Sequence, residues 1–316
     1  MVNVIDSPPV VPEAPVRRAG QPRGESWVRR APLVPALVFM FLVTQFPFVL
    51  TLYYSFQKWN LNFPASPRNF PTLYNYDAVF KDPVFRTAVL NTILFTAAPV
   101  ILSILFGLGI AVLLNRYVFG RGFLRTLIIS PFLVVPTAAA LVWKYAILDT
   151  TFGVLNFFLS PFGLRNENWL GQHSQWTIIA FLVWQWTPFM VLLVLAGLQS
   201  QGEDQLEAAR VDGAGTWQIF RRITVPQLRP YLELGVLLGS IYIVQAFDSI
   251  YILEQGGPGT DTTNLAYYIY QTAFQAFDIG KASAMAVVVI IATILIATLA
   301  LRVVSSLFSE EGMRGR

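Results

Sequence analysis

The chain has 316 residues, of which 55% are hydrophobic and only 13% charged, with a mean hydropathy of +0.55; a soluble domain of this size carries about 25% charged residues. That balance excludes an ordinary soluble domain and points to a polytopic membrane protein. No cysteine and a single histidine, His173, rule out disulfides, thiolate zinc sites and cysteine nucleophiles, and a net charge of +4 matters through its placement rather than as a nucleic-acid footprint.

Residues 1–30 hold Pro8, Pro9, Pro12, Pro15 and Pro22 and few large apolar side chains, a composition that predicts a disordered tail. Six apolar runs follow, each long enough for the roughly 20 residues that a bilayer requires. They are Leu33–Phe56, Ala88–Leu114, Leu124–Ile147, Thr177–Leu198, Tyr231–Leu253 and Ala282–Phe308. The first run is too long for a secretory signal, contains Pro35 and Pro47 and lacks a small-residue cleavage site, so it reads as an uncleaved span. Backbone groups in hydrocarbon must bond within the protein, and barrel-type alternation is absent. The expected fold is all-α, a six-helix transmembrane domain over 31–310 with a short C-terminal tail at 311–316.

Lysine and arginine placement sets the orientation. With the N-terminus inside, fifteen of the 22 basic residues lie on inner segments, including Arg116, Arg121 and Arg125 before the third run and Arg210, Arg221, Arg222 and Arg229 before the fifth. The outer side holds Lys58, Arg68, Lys81, Arg86, Lys144, Arg165 and Lys281. Both termini are therefore expected to be cytoplasmic, as is the connection 199–230. The second and sixth runs carry Gly107, Gly109, Ala282, Ala284 and Ala286, at spacings that allow close helix packing.

The connection 199–230 is polar and predicts a short helix, a glycine turn and a second short helix. Glu203, Asp204 and Glu207 suit the positive end of the first helix dipole. Gly213 and Gly215 bracket Ala214 and permit a reversal. Trp217, Phe220 and Ile223 give the second helix one apolar face, Arg221 and Arg222 fall near its end, and Pro226 is expected to stop it. Composition alone favours reading this pair as a surface helix lying in the headgroups; the order of its residues shifts that reading.

In the fourth run Gln185 is about 12 Å deep, from eight residues at 1.5 Å each, and Pro188 frees the carbonyl of Trp184. Trp184, Gln185 and Trp186 offer two aromatic faces and an amide that both donates and accepts, the chemistry of a polyhydroxylated solute; the tryptophans read equally as interface anchors. In the fifth run Tyr242, Gln245 and Asp248 share a helical face, with Gln245 about 21 Å and Asp248 about 26 Å from the inner end. Pore-facing and capping roles both remain open for Asp248. Gly256-Gly257-Pro258-Gly259-Thr260 lacks the lysine of a phosphate loop and reads as an outer turn. No nucleophile–base pair is present on which a hydrolase reading would rest.

The ordered set Glu207, Ala208, Ala209, Asp212, Gly213, Ala214, Phe220, Ile223 and Pro226 resembles the cytoplasmic coupling loop of the permease subunits of bacterial ABC importers. The resemblance covers about Leu33 to Phe308. It extends to the carbohydrate branch through Asn91-Thr92, Pro136 to Trp143 with Gly153 and Asn156, the stretch Gly256 to Thr260, Tyr267 to Tyr270, and Gly280 to Ala284. Trp184-Gln185-Trp186, with Gln199-Ser200 and Gln205-Leu206-Glu207, is most similar to the sorbitol and mannitol permeases. The first external loop, Gln57–Thr87, is too short for the large domain of the maltose-type large permease.

The resemblance implies an importer of a polyol, or of a sugar such as trehalose or maltose, in the cytoplasmic membrane. It implies a second permease, two ATP-binding subunits that hold ATP and Mg, and an extracytoplasmic solute-binding protein as partners, with no cofactor on this chain. Glu203, Glu207, Ala208, Ala209, Asp212, Gly213, Ala214, Phe220, Arg221 and Pro226 would meet the ATPase. An ion-coupled transporter is the alternative; it would need buried ionisable groups, for which Glu233, Asp248 and Lys144 are the candidates. A membrane scaffold without a pathway is a third reading.

Overall fold

A computed structural model describes residues 32–115, 120–164 and 167–313. The expected tail over 1–30 and the last residues, 314–316, lie outside the described residues. Among those described there is no strand. The chain divides into two compact units at Leu50 and Thr51. The first holds helix α1 (Leu33–Ser55) up to Leu50, with nearly every side chain exposed.

The second unit contains α2 (Tyr74–Lys81), α3 (Pro83–Asn115), α4 (Arg121–Leu133) and α5 (Pro136–Val142), which continues as a π turn, Trp143–Ile147. Then come α6 (Val154–Leu159), α7 (Trp169–Gln172), α8 (Ser174–Gln199), α9 (Glu203–Val211), α10 (Thr216–Ile219) and α11 (Val225–Gln227). The last are α12 (Arg229–Ile243), α13 (Asp248–Leu253), α14 (Leu265–Tyr270) and α15 (Ile279–Met313).

Among the described residues, three uninterrupted helices, α1, α3 and α8, are long and apolar enough to cross a membrane. The expected single helix over Leu124–Ile147 is instead two, α4 and α5, bent by 101°. Val134 and Val135 are extended, with ψ near 130°, because a proline at 136 disfavours α geometry in the residue before it. The expected helix over Tyr231–Leu253 is likewise interrupted. It runs as α12 to Ile243, breaks across 244–247 and resumes as α13. At 15 residues α12 reaches only about 22 Å, short of a hydrocarbon core of about 30 Å. The short halves of the two broken segments, α5 and α13, pack against each other. The last helix extends to Met313.

Helices α3 and α8 form the central pair, and α12 packs on both. The pairing is close because Gly107 faces Met190: a Cβ at 107 would lie 2.6 Å from Met190 Cβ and 3.1 Å from its backbone carbon. Gly109, expected to pack in the same way, faces open space. From the other side, a Cβ at Gly235 would approach Met190 Sδ to 3.0 Å and one at Gly239 would approach Met190 Cε to 2.8 Å. Around this contact Phe95, Ile178, Phe181, Leu182 and Ile243 are buried as one apolar cluster, and Val191, Val194, Leu228 and Ala111 as a second. Gly107→Ala is expected to overpack the pair and destabilise it by about 1–3 kcal/mol, whereas Gly109→Ala is neutral or stabilising; thermal unfolding of the two variants in detergent measures the difference.

Candidate coupling surface and solute path

The connection 199–230 folds as the expected hairpin. Helix α9 ends in a paired C-terminal motif: Ala214 N donates to Ala209 O at 2.9 Å, and Gly213 N to Arg210 O at 3.1 Å. Gly213 sits at φ +82°, a left-handed conformation that side chains disfavour, so glycine is required there. Gly215, at φ −69°, carries no such requirement. The second arm is not stopped by Pro226. Thr216–Ile219 passes into a π turn, Phe220–Thr224, then through α11 and a single turn residue, Leu228, into α12. Pro226 lies in the first turn of α11, where its missing N–H costs nothing.

Side chains close the base of the hairpin and tie it to α12. Gln227 donates to Gln205 Oε1, Gln201 Nε2 to Thr224 O at 3.2 Å, and Tyr231 OH to Ser200 Oγ at 3.0 Å. Arg229 pairs with Glu233 at 2.7 Å. Held in this way, the tip is open. Glu203, Glu207, Ala208, Asp212, Gly213 and Arg221 are exposed, while Ala209, Ala214, Phe220 and Pro226 are half-buried. The expected apolar face is split. Trp217 is 71% exposed and stacks on Phe220, while Ile219, Thr224 and Leu228 are the buried contacts.

The solute-path candidates do not form one cluster. Residues two apart on a helix point about 200° from each other, and Trp184 and Trp186 part accordingly. Trp184 turns to Trp143 (5.5 Å between ring centroids) and Phe181 (6.0 Å). Trp186 stacks on Tyr242 at 5.8 Å and meets Phe132 and Phe189. Gln185 is 6% exposed. Thr96 Oγ1, Trp143 Nε1 and Thr187 Oγ1 are buried without partners on the adjoining helices. Tyr242, on α12, is 60% exposed where it stacks on Trp186 of α8. Gln245 is exposed and bonds only back to Ile241 O (3.0 Å), and Asp248 is exposed in the first turn of α13.

The break in the fifth segment is held in part by Asn264, which sequence reasoning missed. Asn264 Nδ2 donates to Ala246 O at 2.7 Å, while its Oδ1 caps α14 by accepting from Tyr267 N at 2.9 Å. An asparagine directly before an apolar helical run is the sequence signal for such a cap. Lys144 Nζ donates to Ile252 O at 2.6 Å, tying the π turn after α5 to α13. Asn91 Nδ2 donates to Thr260 O (3.0 Å) and Thr263 O (2.9 Å), and Thr92 Oγ1 accepts from Leu265 N (2.9 Å). The glycine-rich stretch Gly256 to Thr260 is thereby stitched to α3.

A polar junction forms where α2, α3, α14 and α15 meet. Asp82 accepts from Lys281 Nζ at 2.6 Å and from Tyr268 OH, and its other oxygen caps Val84 N at 2.8 Å. Beside it opens a cavity of about 430 Å³ lined by Asn60, Gln271, Gln275, Asp278 and Lys281. Burial opposes the charged carboxylate, but the hydrogen bonds from Lys281, Tyr268 and Val84 and the Lys281 charge outweigh it and hold Asp82 below its ordinary 3.8. A depressed carboxyl stabilises the fold above the unfolded-state value and ceases to do so as pH falls through the folded one. The stability advantage of the wild type over Asp82→Asn is therefore expected at neutral pH and should begin to fall below about pH 4, disappearing as pH drops through the lowered folded value, read from thermal unfolding of both from neutral to acid pH.

Residues 103–308 match the family described as binding-protein-dependent transport system inner membrane component. The sulfoquinovosyl glycerol transport system permease of Agrobacterium fabrum is 33% identical over 275 residues, covering 86% of this chain and 88% of that protein. The trehalose/maltose transport system permease of Thermococcus litoralis is 34% identical over 250 residues, covering 78% and 82%. Among solved structures, a chain of a bacterial ABC transporter involved in import of the acidic polysaccharide alginate superposes with a TM-score of 0.74 at 23% identity, covering 90% of this chain and 96% of that one, a likeness of fold.

Proposed function

Since this chain belongs to the binding-protein-dependent transport system inner membrane component family, as a multi-pass transport subunit of the cytoplasmic membrane rather than an enzyme, we propose that it forms one half of an ABC importer's pathway for a sugar or polyol. The partners in this proposal are a second permease, two ATP-binding subunits and an extracytoplasmic binding protein. The observation that carries it is the 199–230 hairpin. A glycine-dependent turn and a stacked Trp217–Phe220 pair project from a base bonded to α8 and α12.

In this proposal both termini and the hairpin are cytoplasmic, and Glu203, Glu207, Asp212, Arg221 and the turn around Gly213 meet the ATPase. ATP-driven closure of the ATPases moves the hairpin, and access to the pathway switches from one face of the membrane to the other. The continuous path from Thr216 to Ile243 passes that movement into the helix that carries Tyr242.

For the solute, Trp186 and Tyr242 supply the aromatic wall and Gln185 and Gln245 the amides, with Trp184 behind them as support. Stacked rings suit the C–H faces of a sugar, and amides suit its hydroxyls. The named solutes of two relatives are glycosides, and the Trp-Gln-Trp stretch favours a sorbitol- or mannitol-like polyol within the same chemistry. The family membership gives no support to the ion-coupled alternative, and Asp248, one of its candidates, is exposed.

Glu207→Lys and Gly213→Pro are each expected to abolish co-purification with the ATPase, and stimulation of its activity by loaded binding protein, while the chain remains inserted. Undiminished association in both variants counts against the docking role. Trp186→Ala with Tyr242→Ala is expected to reduce uptake at least tenfold while leaving ATPase association intact. Assay of labelled trehalose, maltose and sorbitol in proteoliposomes reads both the loss and the solute.

A further inference from the structure

The guanidinium groups of Arg121 and Arg125 converge where α4 begins and α8 ends. Gln199, the last residue of α8, places its side-chain amide against them; assigned by its partners so that the oxygen faces the two donors, it accepts from Arg121 Nη2 at 3.2 Å and Arg125 Nη2 at 2.5 Å. One neutral oxygen thus lies between two like charges. The Nε atoms of both arginines are buried and have no hydrogen-bond partner. The ion pairs among the described residues, Lys81–Asp77, Arg229–Glu233 and Lys281–Asp82, involve neither arginine.

Two cations held together by packing raise each other's energy, and buried donors require acceptors. Arginine's planar fork of N–H groups matches the oxygens of a phosphate, to which it bonds in pairs. The α4 helix bordering this pair exposes Phe123 and Leu127 one turn apart, an apolar face suited to acyl chains. Arginines at the end of an apolar helix reach headgroups while their stems stay in contact with hydrocarbon.

We propose that Arg121 and Arg125 form a phosphate-binding site, and that the phosphate belongs to the headgroup of an anionic phospholipid in the inner leaflet. The leaflet rests on the cytoplasmic placement of the 199–230 hairpin proposed above; the phosphate chemistry does not. The site lies at the root of that hairpin, since Gln199 is two residues before the Gln201 that bonds Thr224. A headgroup there fixes the end of α8 from which the hairpin hangs.

The test measures thermal unfolding of the purified full-length chain in detergent, with added phosphatidylglycerol, phosphatidylcholine or inorganic phosphate. Phosphatidylglycerol is expected to raise the midpoint by several degrees and phosphatidylcholine by less. The gain is expected to disappear in Arg121→Gln/Arg125→Gln and to survive in part in Arg121→Lys/Arg125→Lys. An equal gain from inorganic phosphate, lost in the same glutamine variant, supports the phosphate chemistry and overturns the lipid source. A phosphatidylglycerol gain that persists in the glutamine variant, or no gain in the wild type from either probe, overturns the site. Should the double variant not fold, native mass spectrometry of Arg125→Gln is expected to show one fewer retained phosphatidylglycerol than the wild type, and an unchanged number overturns the proposal. These readouts use the isolated chain, so they stand apart from the ATPase stimulation that tests the importer reading.

Discussion

The structure depends on a rule of the hydrocarbon interior: a backbone group without a partner has no water to turn to. A straight helix obeys it without help. This chain abandons straight helices twice, before Pro136 and after Ile243, and at each break another group stands in for the lost ladder. Asn264 supplies the donor that Ala246 O lacks, and Lys144 serves Ile252 O in the short helix beyond. The halves α5 and α13 then pack on each other, so each interruption shelters the other. Broken helices at membrane depth are tolerated only where protein or a lined cavity surrounds them. Among the described residues, Trp143 Nε1 and Thr187 Oγ1 are buried without a hydrogen-bond partner.

Length and composition made the apolar runs legible, because nothing else produces about 20 such residues in succession. The breaks were not legible, and the reason is instructive. Pro47, Pro99 and Pro188 all lie inside unbroken helices, so a proline does not itself decide. At 134–136 two β-branched residues precede the proline, and α13 is available to receive the detached half. The second condition is tertiary and has no local signature. The fifth run has no proline at its break at all. What permits that break is Asn264, 18 residues further on.

The hairpin was the most legible part, since its turn chemistry is local: a left-handed Gly213 and acidic residues at the start of α9 can be read from the order of residues alone. Its second arm was misjudged at Pro226, because a proline that would end an α-helix interior is harmless in the first turn after a π segment. The solute candidates were half legible. Residue type singled out Trp184, Gln185 and Trp186, but helical periodicity sends the two rings to different neighbours. The Asp82–Lys281–Tyr268 junction was invisible, because its members are 199 residues apart at the extreme and no short-range pattern announces them.

Met190 has a mechanical consequence. Gly107 closes on its Cβ from α3, while Gly235 and Gly239 close on its thioether from α12. Glycine faces leave no side chains to interlock, and an unbranched thioether yields easily about its own bonds. The contact is therefore tight yet smooth, more a lubricated bearing than a toothed joint. A helix set against such a surface slides or rocks without first opening a void, which is the kind of friction-poor seat that a cycling machine part requires.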